Sequence, residues 1–416
     1  MKRREAIKLV SLASLSAPLS KLVAAYPSSQ PKITSSEDWR AFRKKHYSVS
    51  SEFINLENGY FGVQPNSVLE AYRKNIELIN TRSSKYMREV YYQKDIPEIK
   101  KQLGAITGAS PDELLITRNA TESMNILIQG ISLNKGDEVL LQHHDYHSMI
   151  ETFKMLEERK GIKLKYVDVP LLPKTQDEVV QAYQDAITPR TKCILVTHLT
   201  HLTGQILPVA EISALAKERN IDVLVDAAHS FSQIDYTFPQ LQSDFIGVNL
   251  HKWFGNPLGV GLLYIKKDRI RDIQPLYGDV KLDEDNIQKL GHYGTPAAPV
   301  VMTLKAAIAF HNSVTIKKKQ SRLKELQLYW AEEAKKMDRV DIVTPLESGM
   351  SCGIASFAID GHSATEIVDR LKNEFNIFTV IRKLNNQTVV RVTPNLYNLE
   401  NELDRLLDGI STIAKS

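Results

Sequence analysis

From about Asp112 onward, short apolar runs alternate along the chain with segments that have a helical spacing of apolar residues. The apolar runs are continuous, which is typical of strands buried on both faces. Strands that alternate with helices form mostly parallel sheets covered by helices. We therefore predict an α/β fold, with strands at Glu113–Thr117, Glu138–Gln142, Lys163–Val167, Cys193–Thr197, Val223–Val225, Phe245–Asn249 and Gly259–Ile265 and helices at Ser123–Gly130, Ser148–Arg159, Thr175–Ala186 and Val209–Arg219.

The pattern changes near residue 299. A long helical stretch, Pro299–Met337, is followed by three predicted strands and two helices, which together indicate a smaller α+β domain. The strands are Ile354–Ile359, Phe378–Arg382 and Thr388–Val392, and the helices are Ala364–Phe375 and Leu399–Ala414. The predicted organisation is a signal peptide over residues 1–25, an N-terminal segment over 26–54, a large domain over 55–298 and a small C-terminal domain over 299–416.

The first 25 residues have the pattern of an export signal. Arg3 and Arg4 precede an apolar stretch from Ile7 to Leu19, and small residues at Ala24-Ala25 offer a cleavage site. The paired arginines resemble a twin-arginine signal. We therefore expect a periplasmic or otherwise exported protein, or a cytoplasmic one if this segment is instead an amphipathic N-terminal helix.

The charge of the chain is concentrated in the same segment. The 416 residues include 53 Lys and Arg against 49 Asp and Glu, a formal net charge of +4. Five of the basic residues and one acidic residue fall within residues 1–25, so the remainder has 48 of each sign. A neutral remainder gives no support to a nucleic-acid partner. The apolar stretch is too short and too interrupted to be a good membrane span. We therefore expect no stable membrane insertion once the signal has been cleaved.

The two cysteines, Cys193 and Cys352, exclude a disulfide scaffold, and neither belongs to a zinc-binding array. His198 and His201 are three residues apart, but no third ligand follows at a fitting spacing. We predict no metal site.

Polar residues follow several predicted strands, and ligands of open α/β sheets bind at the carboxyl ends of strands. The turn at Asn119 enters a helix, whose free N–H groups attract phosphate. A buried Asp226 requires a cation, such as a protonated pyridine nitrogen. Lys252 follows another strand and offers an amine for an aldehyde. Each residue alone has a simpler structural role, but together they predict a site for pyridoxal 5'-phosphate (PLP).

Six motifs in order resemble the class V, fold-type I PLP enzymes, more closely the isopenicillin N epimerase-like proteins than the cysteine desulfurases. The resemblance extends from about Asn55 to Leu407 and implies a large, mostly parallel-sheet domain with a smaller C-terminal α+β domain. The motifs are N-A-T-E-S-M-N from Asn119, H-H-D-Y-H-S from His143, T-H-L-T-H-L-T-G-Q-I-L-P from Thr197, V-D-A-A-H-S from Val225, N-L-H-K-W from Asn249 and G-T-P-A-A-P from Gly294.

The resemblance implies a role for each matching residue. Lys252 is the catalytic lysine that bonds the cofactor and moves protons, and Asp226 keeps the ring nitrogen protonated. His229 hydrogen-bonds the ring oxygen, and Tyr146 stacks on the ring. The residues implied to hold the phosphate are Ala120, Thr121, Asn249, His251 and, from the partner subunit of a homodimer, Thr295.

On the substrate side, the resemblance implies that Arg391 binds a carboxylate and that Asn58 and Tyr60 belong to a substrate-side loop. The roles of His201 and Arg88 stay open. The expected partners are a small amino-acid-like substrate and a second copy of the chain that shares the active sites.

PLP limits the chemistry to the amino group or α-carbon of a substrate, and elimination and decarboxylation can use the same site. Our leading hypothesis is a transaminase that acts on an amino acid or on the amino-acid part of a peptide-like metabolite. The alternatives are an epimerase, a periplasmic oxidative tailoring enzyme of a secreted peptide such as a pyoverdine-type siderophore, and a non-catalytic binding protein. A desulfurase is disfavoured, because Phe378–Val390 contains no cysteine.

Overall fold

The computed structural model describes residues 35–278, 282–384 and 387–416, so the predicted signal over residues 1–25 lies outside the described residues. The helices are α1 (Ser36–His46), α2 (Asn66–Tyr86), α3 (Ile96–Thr107), α4 (Ala120–Gly130), α5 (His147–Lys160), α6 (Gln176–Ala186), α7 (Val209–Lys217), α8 (Ala298–Met302), α9 (Leu304–Val314), α10 (Ile316–Ala334), α11 (Ala364–Phe375) and α12 (Glu400–Ala414). The strands are β1 (Ile54–Asn55), β2 (Leu114–Thr117), β3 (Glu138–Gln142), β4 (Lys163–Val167), β5 (Thr191–Thr197), β6 (Asp222–Asp226), β7 (Phe245–Asn249), β8 (Gly261–Ile265), β9 (Val340–Ile342), β10 (Ala355–Ile359), β11 (Ile377–Phe378), β12 (Val380–Leu384) and β13 (Gln387–Val392).

The large sheet has seven strands in the order β2-β8-β7-β6-β5-β3-β4. Strands β4, β3, β5, β6 and β7 pair in parallel, whereas β8 is antiparallel to both of its neighbours. The prediction of a mostly parallel α/β sheet is therefore confirmed.

Alternate residues of the central strands enter two separate hydrophobic cores. On β6, Val223 and Val225 pack into one core with Phe254, whereas Leu224 packs into the other with Phe153. A strand whose two faces are both covered reads as a continuous apolar run, which explains the sequence pattern.

The C-terminal part has an antiparallel sheet in the order β12-β13-β10-β9. Its core contains Trp330 of α10, Phe357 of β10 and Leu406 of α12. The N-terminal segment is joined to this part, since β1 pairs in parallel with β11 and Ile54 is opposite Ile377.

The predicted helical stretch Pro299–Met337 is three helices in the structure, α8, α9 and α10. The break before α10 lies at Thr315, whose φ of 69° and ψ of 144° are not helical. A β-branched residue rarely adopts positive φ, and apolar spacing alone does not reveal such a break.

The sheet brings four strand ends to one edge. Thr197 of β5 is opposite Asp226 of β6, and both Thr117 of β2 and Asn249 of β7 are opposite Gly261 of β8. Within the described residues, no helix combines the length and the apolar character needed to cross a membrane.

Candidate active site

A cavity of about 260 Å³ lies at this edge of the sheet. Nine of the residues predicted from the sequence line it: Tyr60, Ala120, Thr121, Tyr146, Asp226, His229, Asn249, His251 and Lys252. His201, whose role the sequence left open, lines it as well, together with Phe61, Arg118 and Thr197.

Lys252 follows β7 and is buried. Burial lowers its pKa to about 7, although the charge of Asp226 acts in the opposite direction. Its Nζ lies 3.0 Å from Nε2 of His229 and 5.2 Å from the ring centroid of Tyr60. A lysine with this pKa is largely a neutral amine above pH 7, which is the form that attacks an aldehyde or takes a proton.

Asp226 is the last residue of β6 and is only 4% exposed. The backbone N–H of Ala228 donates to its Oδ1 over 2.9 Å. Burial nevertheless dominates and raises the pKa of Asp226, because a carboxylate in this cavity has lost most of its hydration. A cation beside it would restore the charged form, so the site fits a protonated ring nitrogen.

His229 lies between the catalytic lysine and an indole. Its Nε2 faces Lys252, and Nε1 of Trp253 donates to its Nδ1 over 3.3 Å. Burial lowers the pKa of His229 well below its usual value, with the charge of Lys252 acting in the same direction. The imidazole is therefore neutral.

Helix α4 begins at the edge of the cavity. Asn119 caps it, since its Oδ1 accepts from the N–H of Glu122 over 2.8 Å. The backbone of Asn119 rests on Gly261 of β8, where an added Cβ would lie 2.6 Å from the Asn119 carbonyl carbon. A residue other than glycine at position 261 would push the helix start away from the sheet.

The same helix start offers the donors that a phosphate requires, with Thr121 in the cavity wall. The N–H of Ala120 donates to Oδ1 of Asn249 over 2.8 Å, so a phosphate would compete with Asn249 for that group. His251 is neutral at pH 7, because burial lowers its pKa to about 4. A lysine, a buried carboxylate and a helix N-terminus in one cavity match the three parts of PLP.

Two tyrosines and a histidine form another wall of the cavity. The hydroxyls of Tyr60 and Tyr146 lie 2.5 Å apart. Burial, and next the bond to Tyr146, raise the pKa of Tyr60 to about 12. The His201 ring packs edge-on against Tyr146 with centroids 5.4 Å apart and lies 6.4 Å from the ring of His229. The sequence placed His201 after a strand end and left its role open, and its packing against Tyr146 is a finding of the structure.

Three predicted site residues lie outside the cavity wall. Arg391 is fully buried. Its Nη2 donates to Glu57 Oε1 over 2.5 Å, and its Nη1 donates to the His201 carbonyl over 2.7 Å. Asn58 is also fully buried, and its Nδ2 donates to the Thr393 carbonyl over 2.9 Å. Both side chains connect the segment after β1 to β13 and its following turn, so their contact with substrate stays a prediction.

Thr295 is exposed and follows Gly294, whose φ of 89° is favourable only for glycine. It does not line the cavity of its own subunit, and its contact with a partner's phosphate stays a prediction. Arg88, in a π-helix at Met87–Asp95, is exposed and also lies outside the cavity wall. Among the described residues, no group of three or more His, Cys, Asp or Glu side chains could bind a metal ion.

Solved structures share this fold. A cysteine desulfurase from Thermococcus onnurineus NA1 matches with a TM-score of 0.81 and 21% identity over 90% of this chain and 98% of its own. A C-DES mutant with glycine covalently linked to its PLP cofactor matches with a TM-score of 0.78 and 24% identity over 87% and 97% of the two chains.

Among sequence relatives, isopenicillin N epimerase from Streptomyces clavuligerus is 25% identical over 402 residues, which are 90% of this chain and 98% of the relative. A probable cysteine desulfurase from Pyrococcus abyssi is 24% identical over 401 residues, 90% of this chain and 97% of the relative. The family model for aminotransferase class V matches residues 63–406, well over half of the chain. The chain therefore belongs to the class V aminotransferase family, whose members are PLP-dependent enzymes.

Proposed function

We propose that the chain is a PLP-dependent transaminase that acts on an amino acid or on the amino-acid part of a peptide-like metabolite. Lys252 supports this function most directly, because it is buried in the same cavity as Asp226 and the α4 N-terminus and its pKa is lowered to about 7. We expect the lysine to bond PLP, the carboxylate to keep its ring nitrogen protonated, and the helix N-terminus to bind its phosphate.

When bound, PLP supplies an electron sink for the carbon that carries the substrate's amino group. The chain's own residues supply the proton chemistry. Asp226 would hold the proton on the ring nitrogen, and His229 would face the ring oxygen. Lys252 would take the proton from the substrate carbon as a neutral amine and return it, since an amine with a pKa near 7 exchanges protons readily at neutral pH.

The atom that receives the returning proton decides the reaction. Return to a different carbon by Lys252 would, once water has released the keto product, give the first half of a transamination, and transfer of the amino group to a second keto acid would complete it. Return to the original carbon from the other side completes an epimerisation, and this needs a second acid. The hydroxyls of Tyr60 and Tyr146, 2.5 Å apart in the same cavity, favour epimerisation as the second candidate function. Two relatives named isopenicillin N epimerase also support it.

A cysteine-dependent desulfurase reaction requires a thiol that reaches the substrate. Cys193 lies in β5 and Cys352 precedes β10, and both are buried away from the cavity. Burial also raises the pKa of both thiols, which keeps them protonated. The two cysteines therefore give no support to this reaction.

The reaction is tested with purified holoenzyme in heavy water, with amino acids and short peptides as substrates. Transamination predicts α-deuterium exchange, a keto product and conversion of the cofactor to its amino form. Exchange with inversion and no keto product would select the epimerase instead. Absence of exchange with all substrates would contradict both.

We infer that the chain is exported through its twin-arginine-like segment, which in the periplasm would favour tailoring of a secreted peptide. We also infer a homodimer, in which the exposed Thr295 contacts the partner's site.

A further inference from the structure

The carboxylate of Glu57 lies between the guanidinium groups of Arg391 and Arg382. Its Oε1 accepts from Nη2 of Arg391 over 2.5 Å and from Nη2 of Arg382 over 3.3 Å. Thr393 Oγ1 donates to its other oxygen over 3.4 Å. Glu57 is 6% exposed and Arg391 is fully buried. The arginine implied to bind a substrate carboxylate thus already binds a carboxylate of its own chain.

This ion pair lies directly behind the cavity wall. Arg391 Nη1 donates to the carbonyl of His201, a residue of the wall. Its Nη2 also passes close to Gly59, where an added Cβ would lie 3.2 Å away, and the next residue, Tyr60, lines the cavity. Both charges also affect the pKa of Lys252: the carboxylate of Glu57 raises it, and the guanidinium of Arg391 lowers it.

A substrate carboxylate that binds Arg391 must either displace Glu57 or share the guanidinium with it, since Nε of Arg391 has no hydrogen-bond partner. Sharing would place two carboxylates on one guanidinium, and their like charges oppose this. Displacement would leave a buried carboxylate without its closest cation, which is costly in a low-dielectric site. A substrate without a free carboxylate beside its amino group leaves the pair intact. The side chain of Arg382 is 21% exposed and shares the same carboxylate, so Glu57 also offsets part of its positive charge.

We propose that Glu57 determines substrate class: as an internal carboxylate on Arg391, it makes the site prefer amines whose neighbouring carboxyl is absent or tied up as an amide over free α-amino acids. This inference rests on the proposed function. It makes the amino-acid part of a peptide the better substrate.

The test compares L-alanine with L-alaninamide, which differ only in that carboxylate. Each is titrated into the holoenzyme, and the change in cofactor absorbance gives its Kd. We expect wild-type enzyme to bind L-alaninamide at least about tenfold more tightly. In Glu57→Gln, the preference should fall at least about tenfold, chiefly through tighter L-alanine binding, because a neutral amide holds Arg391 less strongly.

The matched control is Glu333→Gln on α10, an exposed glutamate paired with Lys336, which should keep the wild-type preference. If Glu57→Gln does not fold, Glu57→Asp keeps the charge and should keep the preference for the amide. Tighter binding of L-alanine by wild-type enzyme would overturn the inference, as would an unchanged preference in a folded Glu57→Gln. If neither ligand changes the absorbance of wild-type enzyme, the proposed function itself fails.

Discussion

Trp253 donates the hydrogen bond of its indole N–H to Nδ1 of His229 over 3.3 Å, and this bond decides which nitrogen of His229 carries the proton. An indole nitrogen donates but does not accept, so Nδ1 must present its lone pair. A neutral His229 therefore carries its proton on Nε2, the nitrogen that faces Lys252 over 3.0 Å. The residue after the lysine thus fixes the tautomer of the histidine beside it.

Trp253→Phe should release this tautomer and weaken the donor that His229 presents to the cofactor. When the cofactor absorbance of the holoenzyme is titrated with pH, we expect the midpoint to rise by about half to one pH unit. This shift corresponds to the loss of one hydrogen bond of about 1 kcal/mol. The control is Trp330→Phe, in the core of the C-terminal part, where the indole does not contact His229. Equal midpoints in wild type and Trp253→Phe would contradict the tautomer assignment.

Asp226→Asn should retain the shape of the site but remove the charge expected to hold a protonated ring nitrogen. Because Asp226 also raises the pKa of Lys252, the lysine should become still less basic. We expect α-proton exchange to fall by at least about a hundredfold, or about 2.7 kcal/mol. The control is Asp341→Asn on an exposed position of β9, and exchange within threefold of wild type in Asp226→Asn would argue against the role.

Stability of the cofactor-free protein should rise with pH between 7 and 9. Burial lowers the pKa of both Lys252 and Lys319 to about 7, so over this range the unfolded chain binds protons that the folded protein lacks. Each lysine contributes up to about 1.4 kcal/mol per pH unit to the free energy of unfolding. Two effects oppose this rise without reversing it. Asp145, whose pKa burial raises to about 7, loses its proton in the folded protein near pH 7, and the buried thiols of Cys193 and Cys352 ionise in the unfolded chain toward pH 9.

Lys319→Met separates one of these two contributions. Lys319 donates to the Trp253 carbonyl over 2.5 Å and to Ser232 over 2.7 Å, and burial is the cause of its lowered pKa. Denaturant unfolding at pH 7, 8 and 9 gives the free energy of unfolding at each pH. This free energy should rise clearly less steeply with pH in the variant than in wild type. Lys317→Met, at an exposed position of the same helix, should keep the slope. A steeper or unchanged slope in Lys319→Met would count against a buried neutral lysine.

Export can be tested through the paired arginines at the start of the chain. Replacing Arg3 and Arg4 by lysine should leave folded, PLP-bound enzyme in the cytoplasm, because the twin-arginine route carries proteins that have already folded with their cofactor. Cell fractionation with cofactor absorbance measures the distribution, and Lys21→Gln serves as the control. Unchanged export of the double variant would mean that the segment is no twin-arginine signal.

Much of the large domain could be predicted because its strands are buried on both faces. Strands β3, β4 and β7 have the bounds expected from the sequence, and the polar residues after β6 and β7 do meet in one cavity. Strand ends were informative because parallel strands place their carboxyl ends at one edge of a sheet.

The remaining features depend on contacts between residues far apart in sequence. Glu57 meets Arg391 only because β1 pairs with the C-terminal part, and no local pattern marks that pairing. His201 follows a strand, but its place between Tyr146 and His229 depends on the packing of three separate loops. The roles predicted for Asn58 and Arg391 require contact with substrate; both side chains are fully buried and neither lines the cavity, so these roles stay predictions.

The bond between Lys252 and PLP, in the cavity at the edge of the sheet, can be measured directly. Purified wild-type enzyme should absorb at the blue edge of the visible spectrum. After borohydride reduction and proteolysis, mass spectrometry should find the pyridoxyl group on the peptide that contains Lys252. Lys252→Ala should lack both signals and remain folded. A colourless wild-type protein after reconstitution with PLP, or a pyridoxyl group on another lysine, would show that Lys252 does not bond the cofactor.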